Sequence, residues 1–358
     1  MNANSAIKVL VVDDSAFMRK ILSDLFAAEA DFEVVDVARN GRDAIDKIKR
    51  LRPDVVTMDV EMPVLDGISA LEIIMKEAPT RVVMVSSLTR EGADATIRAL
   101  EKGAVDFVAK TAGPISSIEY IRTEILSKCR AAAKANVRQL VKPATPPPPP
   151  PTDYKPPVFV PGVNEQLVAI GTSTGGPRAL QEILTRLPGN LPCPLVIVQH
   201  MPPGFTRSLS ERLNTLSALT VKEAQTGDVL TPGLAVVAPG DYHLTLEREG
   251  TRTVVRLSQE PPIGGHRPSV DPMMESVARI YGPKAIGVIL TGMGHDGSLG
   301  MKAIKSHQGY TIAEDGSTTV VNGMPKSAIE LGVVDKVKPL PAIAGEIVRQ
   351  LQSKHGGV

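Results

Sequence analysis

Short apolar runs separated by amphipathic stretches recur along roughly the first 125 residues of the chain. The strand candidates are "KVLVV" (8–12), "FEVVDVA" (32–38), "DVVTMD" (54–59), "VVMVSS" (82–87) and "DFVAK" (106–110). After the first strand, Ser15 is predicted to cap a helix with Phe17, Ile21 and Leu25 on one face. Strands that alternate with helices predict a parallel sheet covered on both faces, here one doubly wound α/β domain.

The same alternation returns in larger form after residue 164. The strand candidates are "LVAI" (167–170), "LVIVQ" (195–199), "LAVVAP" (234–239) and "AIGVILT" (285–291). Helical spacing appears in "PRALQEILTRL" and "MKAIKSHQ", and "YHLTLEREGTRTVVRL" alternates like a β-hairpin around Glu249-Gly250. The pattern predicts a second α/β domain.

A proline-rich segment separates the two patterns. It reads "VKPATPPPPPPTDYKPPVFVP" from residue 141 and includes six consecutive prolines at 146–151. Because proline lacks an amide donor and fixes φ, neither a helix nor a sheet interior can form there, and a polyproline II spacer is expected. We predict a first domain at 1–130, a linker at 131–163 and a second domain at 164–358. Binding of a proline-recognising partner is the alternative use of the linker.

Composition narrows the class of protein. The 358-residue chain has a formal net charge of +1, no tryptophan and 3% aromatic residues, which argues against nucleic-acid binding and against a membrane-binding surface. Cys129 and Cys193 lack a CxxC spacing, so a reducing compartment is expected. No apolar run reaches about 18 residues, and Asp13-Asp14 ends the first run too early for a signal peptide. We expect a soluble cytoplasmic protein.

Polar residues end the predicted strands of the first domain. Asp13 and Asp14 follow the first strand, Asp59 ends the third, and Ser86 and Lys110 end the fourth and fifth. In a parallel sheet these ends share the edge where ligands bind. Converging carboxylates need a cation, and Mg²⁺ suits a few oxygen ligands. One carboxylate can then accept a phosphoryl group whose charge Mg²⁺ and Lys110 neutralise. Individually, such acidic residues are more often helix caps or solvated loop residues.

The glycine-rich turn "GTSTGG" (171–176) follows the first strand of the second domain. A phosphate-binding P-loop would need Lys after Gly176, where this chain has Pro177. The G-x-S-x-G pattern instead predicts a nucleophile elbow that presents Ser173. A serine nucleophile needs a base. His200 ends the next strand and Asp296 follows "VILTGMG", so both reach the same edge and permit a Ser-His-Asp arrangement.

Two alternatives stay open on spacing alone. The turn "TGMGHDG" (291–297) contains G-x-G-x-x-G and precedes Glu314-Asp315 at the distance of a dinucleotide fingerprint, although Asp296 would occupy the pyrophosphate position. His243, His266 and His295 are other candidate bases, and Ser173 itself can be a helix cap. The chain order Ser-His-Asp also differs from that of α/β-hydrolases.

Residues 7–125 resemble a response-regulator receiver domain. The matching stretches are "VVDD", "TMDVEMPVLDG", "MVSS" and "GAVDFVAK". The resemblance implies a flavodoxin-like fold with Asp59 as the phosphoacceptor and with Asp13, Asp14 and Asp59 at a Mg²⁺ site. It also implies that Ser86, Phe107 and Lys110 respond to the phosphoryl group. Many receivers have Lys-Pro where this chain has Lys110-Thr111, which leaves the local peptide geometry open.

Residues 165–350 resemble the catalytic domain of chemotaxis protein-glutamate methylesterases. The matching stretches are "AIGTSTGGPRAL", "VIVQHMPPGFT", "APGDYHL", "GHRPSVDPMMESVA", "ILTGMGHDGSLGM" and "VVNGMPKSAI". The resemblance implies a Rossmann-like serine hydrolase with Ser173 as nucleophile, His200 as base and Asp296 as its orienting partner. The backbone near Thr174 and Met293 would form the oxyanion and substrate region.

The combined resemblance implies a phosphorylation-activated enzyme without a cofactor in its hydrolase domain. It would demethylate γ-glutamyl methyl esters on chemoreceptors, release methanol, and deamidate some glutamines. A chemotaxis histidine kinase is the implied phosphodonor. The competing class is a receiver-controlled binding module whose serine turn is structural. A DNA-binding output is disfavoured, because the second half lacks a basic helix-turn-helix pattern.

Overall fold

The computed structural model describes residues 6–110, 116–141 and 166–353. The chain divides into two compact units, Met1–Pro143 and Ala144–Val358. The predicted proline spacer at 146–151 and the Lys110-Thr111 peptide lie outside the described residues. Within the described part of the chain, no helix combines the length and apolarity that crossing a membrane requires.

The first unit is built on a parallel sheet with strand order β2-β1-β3-β4-β5. Its strands are β1 (Ile7–Val12), β2 (Phe32–Ala38), β3 (Val55–Asp59), β4 (Arg81–Ser87) and β5 (Asp106–Lys110). Its helices are α1 (Ala16–Ala27), α2 (Gly41–Leu51), α3 (Gly67–Glu77), α4 (Arg90–Glu101), α5 (Ser116–Ala133) and α6 (Val137–Val141). The strand order reverses between β1 and β3, so the crevice where ligands bind in such sheets lies at Asp13 and Asp59.

Helix α1 begins as predicted but buries a different face. The Ser15 side chain accepts a hydrogen bond from the amide of Met18, as a capping residue does. The predicted apolar face is wrong, because Phe17 is 70% exposed whereas Leu22 and Phe26 are buried. The Phe26 ring packs at a tilt of 53° against Phe32 of β2 with ring centroids 5.1 Å apart, so the buried face of the helix is the one that carries Phe26.

The first unit extends beyond the predicted boundary at residue 130, which falls inside α5. Ala132, Ala135 and Leu140 are buried, and Arg81 Nε donates to the carbonyl of Ala135 at 3.0 Å. The predicted linker at 131–163 therefore begins too early. Small alanines in "RAAAKA" pack closely yet give a weak amphipathic signal, which hides the end of the helix from the sequence pattern.

The second unit contains a parallel sheet of order β14-β13-β12-β6-β7-β9-β8 and a separate antiparallel pair, β10-β11. Its strands are β6 (Leu167–Thr172), β7 (Leu195–Gln199), β8 (Thr220–Glu223), β9 (Leu234–Val237), β10 (His243–Glu249), β11 (Arg252–Ser258), β12 (Ala285–Ile289), β13 (Tyr310–Glu314) and β14 (Lys336–Lys338). Its helices are α7 (Gly176–Leu184), α8 (Phe205–Leu216), α9 (Val270–Tyr281), α10 (Ser298–Ser306), α11 (Met324–Glu330) and α12 (Leu340–Ser353), with a 3₁₀ turn at Gly282–Lys284.

The centre of this sheet positions the predicted triad. Strand β6 pairs in parallel with β7 on one side and with β12 on the other. Ser173 follows β6, His200 follows β7, and Asp296 lies in the loop after β12. Three neighbouring strands therefore deliver the three residues to one carboxyl edge, and the predicted hairpin around Glu249-Gly250 is confirmed as β10-β11.

Candidate active site and phosphoryl site

Ser173 lies in the turn between β6 and α7. Its amide donates to the carbonyl of Thr291 at 3.0 Å, and its own carbonyl accepts from the amide of Gly176 at 2.8 Å. Gly175 has a φ of +81°, the left-handed conformation that favours glycine. A side chain on Gly176 would place Cβ 2.0 Å from Gln199 Oε1. The glycines thus permit the tight strand–turn–helix connection of a nucleophile elbow.

The ring of His200 pairs with Asp296. Nε2 of His200 lies 2.7 Å from Oδ2 of Asp296, and the two side chains are only 6% and 9% exposed. The other ring nitrogen, Nδ1, is buried and has no hydrogen-bond partner among the described residues. When Nε2 donates to the carboxylate, a neutral ring carries its free lone pair on Nδ1. Nδ1 is then the atom able to take a proton.

The carboxylate of Asp296 is held by a set of donors at the starts of α9 and α10. These are Ser269 Oγ (2.9 Å) and the amides of Val270 (2.7 Å), Asp271 (3.1 Å) and Gly297 (2.9 Å). Burial by itself raises the pKa of Asp296, but the hydrogen bond and charge of His200 and the donors at α9 hold this pKa well below its usual range. The positive end of the α9 dipole acts in the same direction. Asp296 is therefore ionised and fixed in orientation.

The other candidate histidines occupy different positions. His243 is buried, and its ring bridges the carbonyl of Pro261 and the amide of Ser269, both at 3.2 Å. His295 is exposed. His266 stacks face to face on His200, with ring centroids 3.9 Å apart and planes 8° apart. Of the four, His200 is the one paired with Asp296.

The turn after β12 packs directly against the Ser173 turn. A Cβ on Gly292 would lie 2.9 Å from Ser173 Cβ and 2.1 Å from Met324 Sδ, so only glycine fits. Thr174 is buried, and the neighbouring Met293 is 41% exposed. The stretch that resembles a dinucleotide fingerprint therefore brings Gly292 against Ser173, and Asp296 near its end accepts a hydrogen bond from the amide of Gly297 at the start of α10.

Acidic side chains converge at the carboxyl edge of the first unit. Carboxylate oxygens of Asp13, Asp14 and Asp59 all lie within 4.8 Å of one another. Lys110 Nζ lies 2.7 Å from Asp59 Oδ2 and 3.0 Å from Asp13 Oδ2. Four of the predicted residues therefore meet at one point.

The charges at this edge do not balance. Burial raises the pKa of Asp59 despite the adjacent Lys110, and the negative charge of Asp13 adds to the rise. Burial would lower the pKa of Lys110, but Asp59 and Asp13 together raise it. Lys110 and the Arg19 guanidinium, which donates to the backbone carbonyls of Asp13 and Asp14, face three carboxylates. The remaining negative charge and the oxygen ligands suit a hard divalent cation.

The side chains of Ser86 and Phe107 contact helices α4 and α5. The Ser86 hydroxyl is buried and donates to the carbonyl of Gly92 in α4 at 3.0 Å. The Phe107 ring is buried, with Lys128 Nζ 4.7 Å from its centroid. The hydroxyl of Ser86 thus connects the end of β4 to the first turn of α4.

Comparison with known proteins identifies both units. Residues 168–347 match the CheB methylesterase family, and residues 9–122 match the response regulator receiver domain. The protein-glutamate methylesterase/protein-glutamine glutaminase of Geobacillus kaustophilus is 52% identical over 345 residues, which cover 96% of this chain and 98% of that protein. This chain belongs to the CheB methylesterase family. The counterpart from Thermotoga maritima is 49% identical over 343 residues, covering 96% of this chain and 98% of that protein.

A solved structure supports the same assignment for the second unit. The crystal structure of the Thermotoga maritima CheB methylesterase catalytic domain is 48% identical, with a TM-score of 0.52, and covers 52% of this chain and all of that one. The predicted family is confirmed, as is the predicted fold class of two parallel-sheet α/β domains.

Several contacts around the triad are not predicted by the sequence pattern. Spacing gave no sign that His266 stacks on His200 or that Ser269 donates to Asp296. Both residues lie in the stretch "GHRPSVD". The family resemblance includes this stretch but does not say what its residues do. Glu314 drew attention only as part of a dinucleotide pattern, although it accepts a hydrogen bond from the amide of Thr291.

Proposed function

We propose that this chain is a serine esterase and amidase that removes methyl groups from methylated glutamates, and amide groups from some glutamines, on the cytoplasmic part of methyl-accepting chemoreceptors. The observation that carries the proposal is the His200–Asp296 pair, buried at the sheet edge where Ser173 follows the neighbouring strand β6. Relatives 49% and 52% identical over nearly the whole chain carry both activities in their names.

In the proposed mechanism, Ser173 Oγ attacks the ester carbonyl while Nδ1 of His200 takes the hydroxyl proton. Asp296 holds the ring by its Nε2 and stabilises the imidazolium that forms. The bond to the methoxy group then breaks, and the proton on His200 passes to methanol. Water attacks the acyl-enzyme with His200 again as base, which frees glutamate and restores Ser173. A glutamine follows the same path with ammonia as the leaving group.

The tetrahedral intermediate needs donors for its oxyanion. We assign this role to backbone amides near Thr174 and Met293. Thr174 begins the tight turn after the nucleophile, and Met293 follows Gly292, whose missing side chain lets the two turns meet. Thr174 and Met293 thus belong to the two turns that meet at Ser173, so we expect their amides to face the oxyanion.

We propose further that Asp59 is the phosphoacceptor and that Asp13, Asp14 and Asp59 hold Mg²⁺. When bound, the cation would neutralise charge on the phosphoryl group during transfer. Lys110, already 2.7 Å from Asp59, would follow the phosphoryl oxygens. Ser86 would exchange its hydrogen bond to Gly92 for one to the phosphoryl group, which links phosphorylation to the first turn of α4.

Regulation follows from joining these two sites in one chain. We propose that the unphosphorylated receiver restricts access to Ser173 and that phosphorylation by a chemotaxis histidine kinase relieves the restriction in the cytoplasm. A phosphoryl group adds about 1.5–2 negative charges at Asp59. If occlusion is the mechanism, residues 160–358 alone will turn over faster than the unphosphorylated full chain. An equal or lower rate would refute occlusion and leave the chemistry intact.

A fluorophosphonate that forms a covalent bond to activated serines tests the chemistry at Ser173. The full chain should be labelled at Ser173 with one group per molecule, whereas Ser173→Ala should take up none. The matched control is Ser306→Ala, at the end of α10 and outside the site. Equal labelling of wild type and Ser173→Ala, or none in either, would favour a binding module without catalysis.

A further inference from the structure

Thr291 is a buried junction between the turn after β12 and the Ser173 turn. Its hydroxyl donates to the carbonyl of Thr174 at 2.9 Å, and its carbonyl accepts from the amide of Ser173 and the hydroxyl of Thr172, both at 3.0 Å. The hydroxyl also accepts from the amides of Val320 (3.1 Å) and Val321 (3.0 Å). One threonine therefore fixes the backbone on both sides of Ser173.

Glu314 supports Thr291 from the neighbouring strand. It ends β13 with a fully buried side chain, and its Oε2 accepts from the amide of Thr291 at 2.9 Å. Its Oε1 accepts from the hydroxyl of Thr318 at 3.0 Å. Burial raises the pKa of Glu314 to about 7. Burying a carboxyl group costs free energy unless its oxygens accept hydrogen bonds. We therefore ask what the buried Glu314 carboxyl does beside the turn that contains Thr291.

We propose that Thr291 is a positioning residue for the nucleophile and that Glu314 fixes Thr291 in turn. This inference rests on the proposed role of Ser173. The two hydrogen bonds to the Ser173 amide and the Thr174 carbonyl set the direction of the Ser173 side chain and the tilt of the following peptide. Both matter to attack and to oxyanion binding, and a misplacement of about 1 Å can cost about 100-fold in rate.

The proposal also gives a physical role to the acidic residue that spacing associates with a dinucleotide fingerprint. In that fingerprint the carboxylate binds a ribose hydroxyl. Here the Glu314 carboxyl accepts a backbone amide instead, because β13 lies beside β12 and Thr291 follows β12 by two residues. The carboxyl thus orients protein backbone, two hydrogen bonds away from the nucleophile.

The test compares Thr291→Val, which keeps the branched shape but loses the hydroxyl, with Thr291→Ser, which restores it. The full chain is treated with a fluorophosphonate, and both the rate constant and the final stoichiometry of Ser173 labelling are measured. We expect Thr291→Val to label at least tenfold more slowly but still to one group per chain, and Thr291→Ser to stay within threefold of wild type. A purely structural role would lower the stoichiometry and leave the rate constant of the folded fraction unchanged.

Glu314→Gln and Glu314→Leu form a second, independent pair. Glutamine keeps an acceptor for the Thr291 amide and should label within threefold of wild type, whereas leucine should be slowed at least tenfold. If Thr291→Val folds poorly, the two Glu314 variants alone test whether these hydrogen bonds position Ser173. The inference is overturned if Thr291→Val labels at the wild-type rate, or if each conservative variant is as slow as its partner. If wild type itself is not labelled at Ser173, the proposed function fails instead.

Discussion

The Nε2 atom of His200 lies 2.7 Å from the Oδ2 atom of Asp296, although 96 positions separate the two residues in the chain. This contact decides which ring nitrogen can act as a base. With Nε2 donating to the carboxylate, the buried Nδ1, which has no hydrogen-bond partner among the described residues, is the nitrogen left to accept a proton in the proposed mechanism. The buried pair also shows why Asp296 needs several further donors, since a lone carboxylate in this position would be poorly solvated.

Replacing Asp296 with Asn should cut kcat for ester hydrolysis by about 10⁴-fold, the loss seen when an aspartate of this kind is made neutral in a Ser-His-Asp triad. The asparagine keeps the donors to Oδ1 only if its NH₂ takes the place of Oδ2, where it loses the Val270 amide and donates to Nε2. The ring proton then moves to Nδ1, which can no longer act as a base. The control is Glu330→Gln, an exposed carboxyl in α11. Retention of more than a tenth of wild-type kcat would show that Asp296 does not set the tautomer.

The stacked ring of His266 should contribute modestly and measurably. Contacts between stacked rings are worth about 0.5–1.5 kcal/mol, so His266→Ala should lower kcat by about three- to tenfold through loosening of His200. His266→Phe, which keeps a flat ring, should recover most of the loss. His295→Ala serves as the control because that ring is exposed. A loss from His266→Ala as large as that from Asp296→Asn would mean that His266 itself transfers protons.

Glu314 should make stability depend on pH with a defined sign. Its pKa is raised to about 7 in the folded chain, against about 4.3 in an unfolded one. Between these values the folded chain binds more protons, so the free energy of unfolding falls as pH rises. Glutamine at position 314 does not titrate. The free energy of unfolding of Glu314→Gln, relative to that of wild type, should therefore rise by up to about 3 kcal/mol between pH 4 and pH 8. Urea denaturation of both full-length proteins at pH 4 and pH 8 measures the two free energies of unfolding. The prediction is contradicted if the difference between the two proteins is the same at both pH values.

Much of the site was predictable because it lies at strand ends. Buried strands leave clear apolar runs, and the polar residue after each run marks the carboxyl edge. This is how Asp13, Asp59, Ser173 and His200 could be selected, since sheet topology alone then brings them together.

The remaining features depend on packing that spacing does not encode. The rotation of α1 is set by the contact between Phe26 and Phe32, so Phe17 is exposed against expectation. His266 lies in a loop that brings it onto His200. Glu314 ends a five-residue strand, "YTIAE", that is too short for the sequence pattern to fix its ends. Such contacts join residues far apart in the chain through side-chain geometry.

The acidic cluster of the receiver predicts a metal-dependent activation. A small acyl phosphate with Mg²⁺ should increase the rate of Ser173 labelling in wild type, and chelation with EDTA should abolish the increase. Asp59→Asn should keep the basal rate and lose the response, because it removes the carboxylate that we propose as the phosphoacceptor. Asp46→Asn, an exposed carboxyl of α2, is the matched control. Activation of Asp59→Asn to the wild-type level would assign phosphorylation elsewhere.

Methanol release from a methylated chemoreceptor cytoplasmic domain tests the central claim most directly. Wild type, Ser173→Ala and the control Ser306→Ala are compared at equal concentration with Mg²⁺ and a phosphodonor. Ser173 as nucleophile predicts steady methanol release by wild type and by Ser306→Ala, and none above background from a folded Ser173→Ala. Near-normal release by Ser173→Ala would contradict the account.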